Sequence, residues 1–360
     1  MSEALVQSLL DAVPLPALAI DATERIAAAN TEALTLLGQG IKMRNFVTML
    51  RQPALLDAVE GVMRDARPRV APYMANDGAQ DTTFQVSCKR VDGAGWRDAG
   101  IVVLTFEDVT HRQQAELMRR DFVANVSHEL RTPLTAVMGF IETLRGPARG
   151  DPEAQERFLQ IMQSEAGRMN RLIGDLLSLS RVEGEERVRP TGQLALRDIL
   201  DSTLRSLRPL ADEAGVTLEP ELGALPVDMT GDPDQLTQVF TNLIENGIKY
   251  GGSGGRVTVR LSLSEREAAL RAPGARVQVI DYGPGIDPVH LPRLTERFYR
   301  ADSHRSRELG GTGLGLAIVK HIINRHRGRL RVESELGQGA TFTVILPISP
   351  FTRTATAAAS

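Results

Sequence analysis

The sequence predicts a multidomain α+β protein: a small α/β sensor-like module, a helical hairpin and an α/β sandwich. Three observations predict it. Residues 1–110 mix short apolar runs with turn residues, residues 111–185 place apolar side chains at three- or four-residue steps, and residues 186–350 alternate helix and strand patterns around a glycine-rich string. A length of 360 residues leaves room for two or three domains at about 150 residues each.

Composition narrows the class. Hydrophobic residues make up 42% and charged residues 24%, a globular balance that argues against disorder, collagen or a coiled-coil rod. The 42 basic and 45 acidic residues give a net charge of -3, so no chain-wide basic surface points to direct nucleic-acid binding. Cys88 is the single cysteine, which excludes an intrachain disulfide and a multi-cysteine metal cluster and fits a reducing compartment. The most apolar stretches, Ala12 to Ile20 and Thr132 to Ile141, fall short of the ~20 residues a spanning helix needs. MSEALVQSLLDAV has no basic n-region, and the reading is of a soluble, cytoplasmic chain.

The elements follow in order. VPLPALAIDATERIAAAN reads as strand, turn and strand, and NTEALTLLG as a short helix capped by Asn30. TTFQVSCKRVDG and AGIVVLTFEDVT read as paired strands. Met118, Phe122, Val126, Leu130, Leu134, Val137, Ile141 and Leu144 form one stripe of a helix of about eight turns. RGPARGDPE breaks it, and Phe158, Ile161, Glu165, Met169, Leu172, Ile173 and Leu176 form a second stripe. A lone hairpin leaves such stripes open, so a homodimeric four-helix bundle is expected. In the third region, LALRDILDSTLRSLRPLADEAG, DPDQLTQVFTNLIENGIKYG and TGLGLAIVKHIINRHRG read as helices. VTLEPEL, RVTVRLSLS, RVQVIDYG, LRVESELG and GATFTVILP read as strands, with an insert around Pro273 and Gly274. The tail 351–360 has no packing pattern.

The first chemical signal is FVANVSHELRTPL. His128 lies about 200° round the helix from Val126, away from the apolar seam. A neighbouring carboxylate, Glu129, can fix the imidazole tautomer and leave the other nitrogen's lone pair free. Pro133 removes a helical hydrogen bond and is expected to bend the helix. Alone, a His-Glu pair also fits a solvated helix histidine.

Four further strings lie in the third region. In NLIENGIKY, Asn242 and Asn246 share a helix face, where amide oxygens suit Mg²⁺, and Lys249 and Tyr250 extend the set toward a polyanion and a flat base. In DYGPGI, Asp281 ends a strand and can accept from an exocyclic amine, while Gly283 and Gly285 admit close backbone approach. Read alone, it is equally a strand-ending turn. RLTERFYR supplies Phe298, Tyr299 and Arg300, followed by a polar, lid-like stretch with Arg305 and Arg307. GGTGLGLAIVK opens a helix with Gly310, Gly311, Thr312, Gly313, Leu314 and Gly315, a natural phosphate cradle. The spacing fits neither a Rossmann fingerprint nor a P-loop.

SHELRTPL on a bundle helix resembles the phosphoacceptor box of sensor histidine kinases. The four later strings resemble the N, G1, F and G2 boxes of the Bergerat-type ATP-binding fold, shared with gyrase-type and heat-shock chaperone ATPases. The resemblance covers about residues 111–350. It implies a HisKA dimerisation and phosphotransfer hairpin over 111–185 and an HATPase domain over 186–350, with ATP and Mg²⁺ as cofactors. It also implies that His128 accepts phosphate, with Glu129 and Thr132 at the acid and Thr/Asn positions of the box, the latter helping to dephosphorylate a regulator. Asn246 matches the Mg²⁺ ligand, Asp281 the adenine reader, and Asn242, Lys249 and Tyr250 nearby contacts. Gly283, Gly285, Gly311, Gly313 and Gly315 match loop glycines, and Arg300 a phosphate contact. Tyr282 departs from the pattern and is expected to alter adenine packing. GFIETLRG makes the chain similar to phosphate-regulon sensor kinases, and residues 1–110 resemble a PAS sensor domain. The implied partners are a second copy and a response regulator receiver domain, with recruitment to membrane complexes open. The rival readings are a non-catalytic nucleotide-binding dimeric scaffold, or a gyrase- or chaperone-like ATPase using Glu245.

Overall fold

The computed structural model describes residues 3–76, 81–92, 100–186, 188–223, 227–301 and 311–348. The expectations for Arg305, Arg307, Gly310 and the tail 351–360 lie outside them. The chain divides into two units, residues 1–124 and 125–360.

The first unit holds α1 (Glu3–Asp11), β1 (Ala17–Ile20), β2 (Ile26–Ala29), α2 (Thr31–Leu37), α3 (Phe46–Leu50), α4 (Pro53–Asp65), β3 (Arg69–Asn76), β4 (Asp81–Val91) and β5 (Ile101–Asp108). Its sheet is antiparallel in the order β2-β1-β5-β4-β3. Side chains alternate across a strand, so Leu18 and Ile20 enter a core with Phe46, Leu55, Val86 and Phe106. Ala17 and Ala19 face the other way, under Val6 and Leu10 of α1. The paired strands and capped helix match their sequence patterns, whereas α1 and β3 had no reading. β3 sits at an edge with Val70 and Met74 exposed while Ala71 and Tyr73 meet the core, so apolar residues fall on both faces and the alternation is blurred. Burial pushes the Cys88 thiol up to about 12, which leaves it protonated and unreactive.

Asn30 ties this unit together. Its Oδ1 accepts from the N–H groups of Ala33 and Ala17, both at 2.9 Å. Its Nδ2 donates to the carbonyls of Leu10, Val13 and Leu15. One fully buried amide thus caps α2 and anchors the α1–β1 connection.

The second unit begins within α5 (Thr110–Arg145), a 36-residue helix that continues past Pro133. Asp151 caps α6 (Pro152–Glu185), whose first residue is a proline suited to that position. Phe140 and Phe158 stack with ring centres 5.3 Å apart. Leu134, Met138, Ile141, Leu159, Ile161, Ile173 and Leu177 remain exposed along the hairpin.

The sandwich follows, with β6 (Gln193–Ala195), α7 (Leu196–Glu213), β7 (Thr217–Glu221), β8 (Asp228–Thr230), α8 (Pro233–Gly251), β9 (Arg256–Glu267), β10 (Ala272–Asp281), α9 (Gly315–Arg325), β11 (Arg329–Glu335) and β12 (Gly339–Pro347). The mixed sheet runs β11-β12-β10-β9-β7, with only the β7–β9 pair parallel. β6 and β8 form a separate two-stranded ladder. Pro273 and Gly274 are not an insert, as the sequence pattern suggested. They belong to β10, where the register shifts at a bulge against β9, which accommodates a residue without a donor.

Asn30→Ala should destabilise the first unit by about 3 kcal/mol, because it removes a cap and strands several buried backbone groups. Urea unfolding followed by circular dichroism checks this.

Candidate functional site

α8 positions the site. Leu236, Val239, Phe240, Leu243, Ile244 and Ile248 are buried against the sheet and neighbouring helices. The other face presents Asn242, Glu245, Asn246, Lys249 and Tyr250 to a cavity of about 550 Å³. Asp232 caps the helix, accepting from the N–H groups of Asp234 and Gln235. Its own N–H donates to Nε2 of buried His326 at 3.0 Å. His326 Nδ1 lies 2.8 Å from the Ile322 carbonyl, and burial lowers its pKa. This neutral imidazole ties the start of α8 to the end of α9.

Asp281 closes the opposite wall at the end of β10. Its Oδ1 accepts from the N–H groups of Gly283 and Ala340, at 3.0 and 3.3 Å. Oδ2 is therefore the oxygen left for a ligand. Burial raises the Asp281 pKa against the pull of those two hydrogen bonds. Gly283 must be glycine: a Cβ there would lie 2.6 Å from the Gly251 Cα. Tyr282, expected to alter adenine packing, is not among the residues that line the cavity. Just past the end of β10, Arg256 covers its ring at 4.1 Å and its hydroxyl meets Thr258 at 3.2 Å.

The glycine segment closes the third side. Gly311, Thr312, Gly313 and Gly315 line the cavity, and Leu314 is buried behind them at the start of α9. Gly313 has φ +73°, and a Cβ there would meet Phe298 at 2.9 Å. The Phe298 N–H donates to the Gly313 carbonyl at 2.8 Å, so the aromatic string braces the glycine loop. Tyr299 and His290 also line the cavity, with Tyr299 Oη 2.6 Å from His290 Nδ1.

The residues present fit a magnesium nucleotide. Asn242 Nδ2 is buried without a partner, and Asn246 lies one turn further on the same cavity wall. Arg300 Nε is likewise buried and unpaired. Amide oxygens, a phosphate cradle and a carboxylate at the far wall make a polar set suited to Mg²⁺, phosphates and an amine-bearing base.

The SHELRTPL string stands on α5. His128 is exposed, with Glu129 half-buried beside it. Thr132 Oγ1 donates to the His128 carbonyl at 3.1 Å. Glu129 Oε2 accepts from Arg168 at 2.9 Å and from Arg300 at 3.0 Å. The same Arg300 Nη2 donates to the Gly311 carbonyl at 2.8 Å. The neighbour of His128 is thus joined to a side chain that lines the cavity.

Of the expected binding residues, Asn242, Asn246, Lys249, Tyr250, Asp281, Gly285, Arg300, Gly311, Thr312, Gly313 and Gly315 line one cavity. Gly283 and Leu314 shape it from behind. Lys249 Nζ is held by Glu245 at 2.6 Å. Sequence reasoning missed Arg171 and Asp175 of α6, which also line the cavity. Asp175 accepts from Thr312 Oγ1 at 2.6 Å, and burial raises its pKa. No local pattern announces this pairing across 137 positions.

Comparison with known proteins agrees with this layout. Residues 231–350 match the family of histidine kinase-, DNA gyrase B- and HSP90-like ATPases, and residues 118–185 match the His Kinase A (phospho-acceptor) domain. The phosphate regulon sensor protein PhoR of Pseudomonas aeruginosa is 44% identical over 242 residues, 67% of this chain and 53% of that protein. Sensor protein SrrB of Staphylococcus aureus is 37% identical over 269 residues, 73% of this chain and 44% of that protein. The chain therefore spans about half the length of these curated relatives. The fold is shared with the histidine kinase ThkA, solved in complex with the response regulator protein TrrA, at TM-score 0.50 and 20% identity over 96% of this chain and 99% of that one.

Asp281→Asn should abolish nucleotide binding in calorimetry while leaving the fold intact, since Asn Oδ1 still accepts both backbone bonds. The raised pKa means that the ionised form costs stability above that pKa and that the cost fades as pH falls through it. The variant should therefore melt above the parent chain at neutral pH, and the difference should vanish in acid.

Proposed function

Starting from a chain that carries the phosphoacceptor and ATPase domains of a histidine kinase, we propose an ATP-dependent protein-histidine kinase of a two-component system. The observation that carries this reading is the Glu129–Arg300 link, which joins the residue beside an exposed histidine to the wall of a nucleotide-sized cavity.

The roles follow from the geometry. Asp281 Oδ2 receives the exocyclic amine of adenine. Asn242, Asn246 and the glycine segment hold the phosphate end, and Mg²⁺ bound beside Asn246 would neutralise triphosphate charge. A His128 ring nitrogen attacks the γ-phosphorus. The N–P bond forms as the P–O bond to ADP breaks, and the electron pair leaves on the β-phosphate oxygen. Glu129, once released from Arg300, accepts the proton from the other ring nitrogen. Positioning and charge stabilisation supply most of the rate. The phosphohistidine then passes its phosphoryl group to an aspartate of a response regulator receiver domain, and Thr132 assists the reverse dephosphorylation.

The open apolar stripe of α5 and α6 supports a homodimer paired as a four-helix bundle. The layered sheet and helices of the first unit support a PAS-like sensor module, and the likeness to PhoR supports a role in phosphate-starvation signalling. Among the described residues no helix is long and apolar enough to cross a membrane. We place the activity in the cytoplasm, where ATP and regulators meet. The gyrase-like reading is disfavoured because Glu245 is held in an ion pair with Lys249, and a scaffold reading leaves His128 and its box without a task.

Incubation with γ-labelled ATP and Mg²⁺ should give an acid-labile, base-stable label on the protein. His128→Gln should remove it entirely, and Asn246→Asp should reduce it at least a hundredfold. Label persisting in His128→Gln, or phosphate release without labelling, would overturn the assignment.

A further inference from the structure

Two groups suited to bind a triphosphate are already held by carboxylates of the helical hairpin. Thr312, in the glycine segment, donates to Asp175 Oδ2 at 2.6 Å. Arg300 donates to Glu129 Oε2 at 3.0 Å. Thr312 Oγ1 also receives the Leu314 N–H at 3.3 Å, which orients the hydroxyl proton toward Asp175. The segment precedes the N-terminus of α9, where backbone N–H groups and the helix dipole favour an anion. Asp175 therefore places a carboxylate where the phosphate end of a nucleotide would sit.

The surroundings fit a displaceable contact. Asp175 is half-buried rather than sealed, and it lines the same cavity as Arg171, Glu245 and Lys249. The further links to the sandwich, Ser178 of α6 to Gln238 at 2.9 Å and Glu186 just past α6 to His321 at 3.0 Å, do not line the cavity. They can persist while Asp175 gives way.

We propose that Asp175 sets nucleotide affinity: its carboxylate competes with the terminal phosphates of ATP for Thr312 and the glycine segment, so binding the phosphate end detaches this part of the hairpin from the cavity. This rests on the ATP-binding reading above. Arg300 and Thr312 line the same cavity, so a phosphate seated there competes for both, and Glu129 beside His128 then keeps its Arg168 contact and loses that to Arg300. Asp175 is thus a positioning residue that couples occupancy of the cavity to exposure of the proton acceptor.

The test uses the full chain with Mg-ATP and with adenosine, both followed by calorimetry. Asp175→Asn keeps the shape and removes the charge. It should tighten ATP binding about tenfold and leave adenosine binding unchanged, since adenosine has no phosphates. In the parent chain, Mg-ATP should also raise amide exchange in the 171–179 stretch of α6, whereas adenosine should not. Equal ATP affinity in the two proteins, or weaker binding by Asp175→Asn, would overturn the proposal while leaving ATP binding itself standing. Absence of nucleotide binding from both proteins would instead remove the ATP reading and this proposal with it.

Discussion

Burial of one face of α8 is the constraint on which the site depends. Leu236, Phe240, Leu243 and Ile244 are sealed in the sandwich core, and burying such side chains contributes about 1.5–3 kcal/mol each. Fixing that face fixes its opposite. Asn242, Asn246 and Tyr250 then have one direction left, into the cavity. The packing at the helix end is equally strict, because a Cβ on Gly251 would collide with Asp281. The carboxylate at the far wall is thus placed by the same contact that seats the helix. His326 adds a second anchor at the other end of α8.

The hairpin meets this sandwich through buried Leu172, Leu179 and Val182 of α6, which packs against α9, and through polar contacts. Arg300 meets Glu129, Thr312 meets Asp175, and His321 meets Glu186. Such hydrogen bonds can exchange for water or ligand at little net cost. The apolar stripe of the hairpin, by contrast, is open. Leu134, Ile141 and Ile173 gain nothing from the sandwich and remain exposed, and an interface between two copies would bury them.

Much of the site could be read from the sequence, because its chemistry is concentrated in short windows. SHELRTPL, NLIENGIKY, DYGPGI and GGTGLGL each place several functional residue types within one element, and helix periodicity or strand ends then orient them. What stayed hidden was tertiary. Asp175 lies in a stretch whose apolar period already accounts for a bundle helix, so nothing local marks its contact with Thr312. His326 looks like a helix-terminal polar residue until Asp232 is brought to it. Tyr282 follows Asp281 directly in sequence, yet its ring lies under Arg256, a contact that no local pattern marks. The fold was legible where burial imposed a period. β6 and β8 are three residues each, too short to show one, and β3 carries apolar side chains on both faces, Val70 and Met74 exposed and Ala71 and Tyr73 on the core.

The most direct test is a crystal structure of the full chain with a non-hydrolysable ATP analogue and Mg²⁺. The account requires the exocyclic amine of adenine within hydrogen-bonding distance of Asp281 Oδ2, the metal beside Asn246, and the terminal phosphate on the glycine segment. Nucleotide bound away from Asp281, or a cavity left empty at saturating analogue, would contradict it.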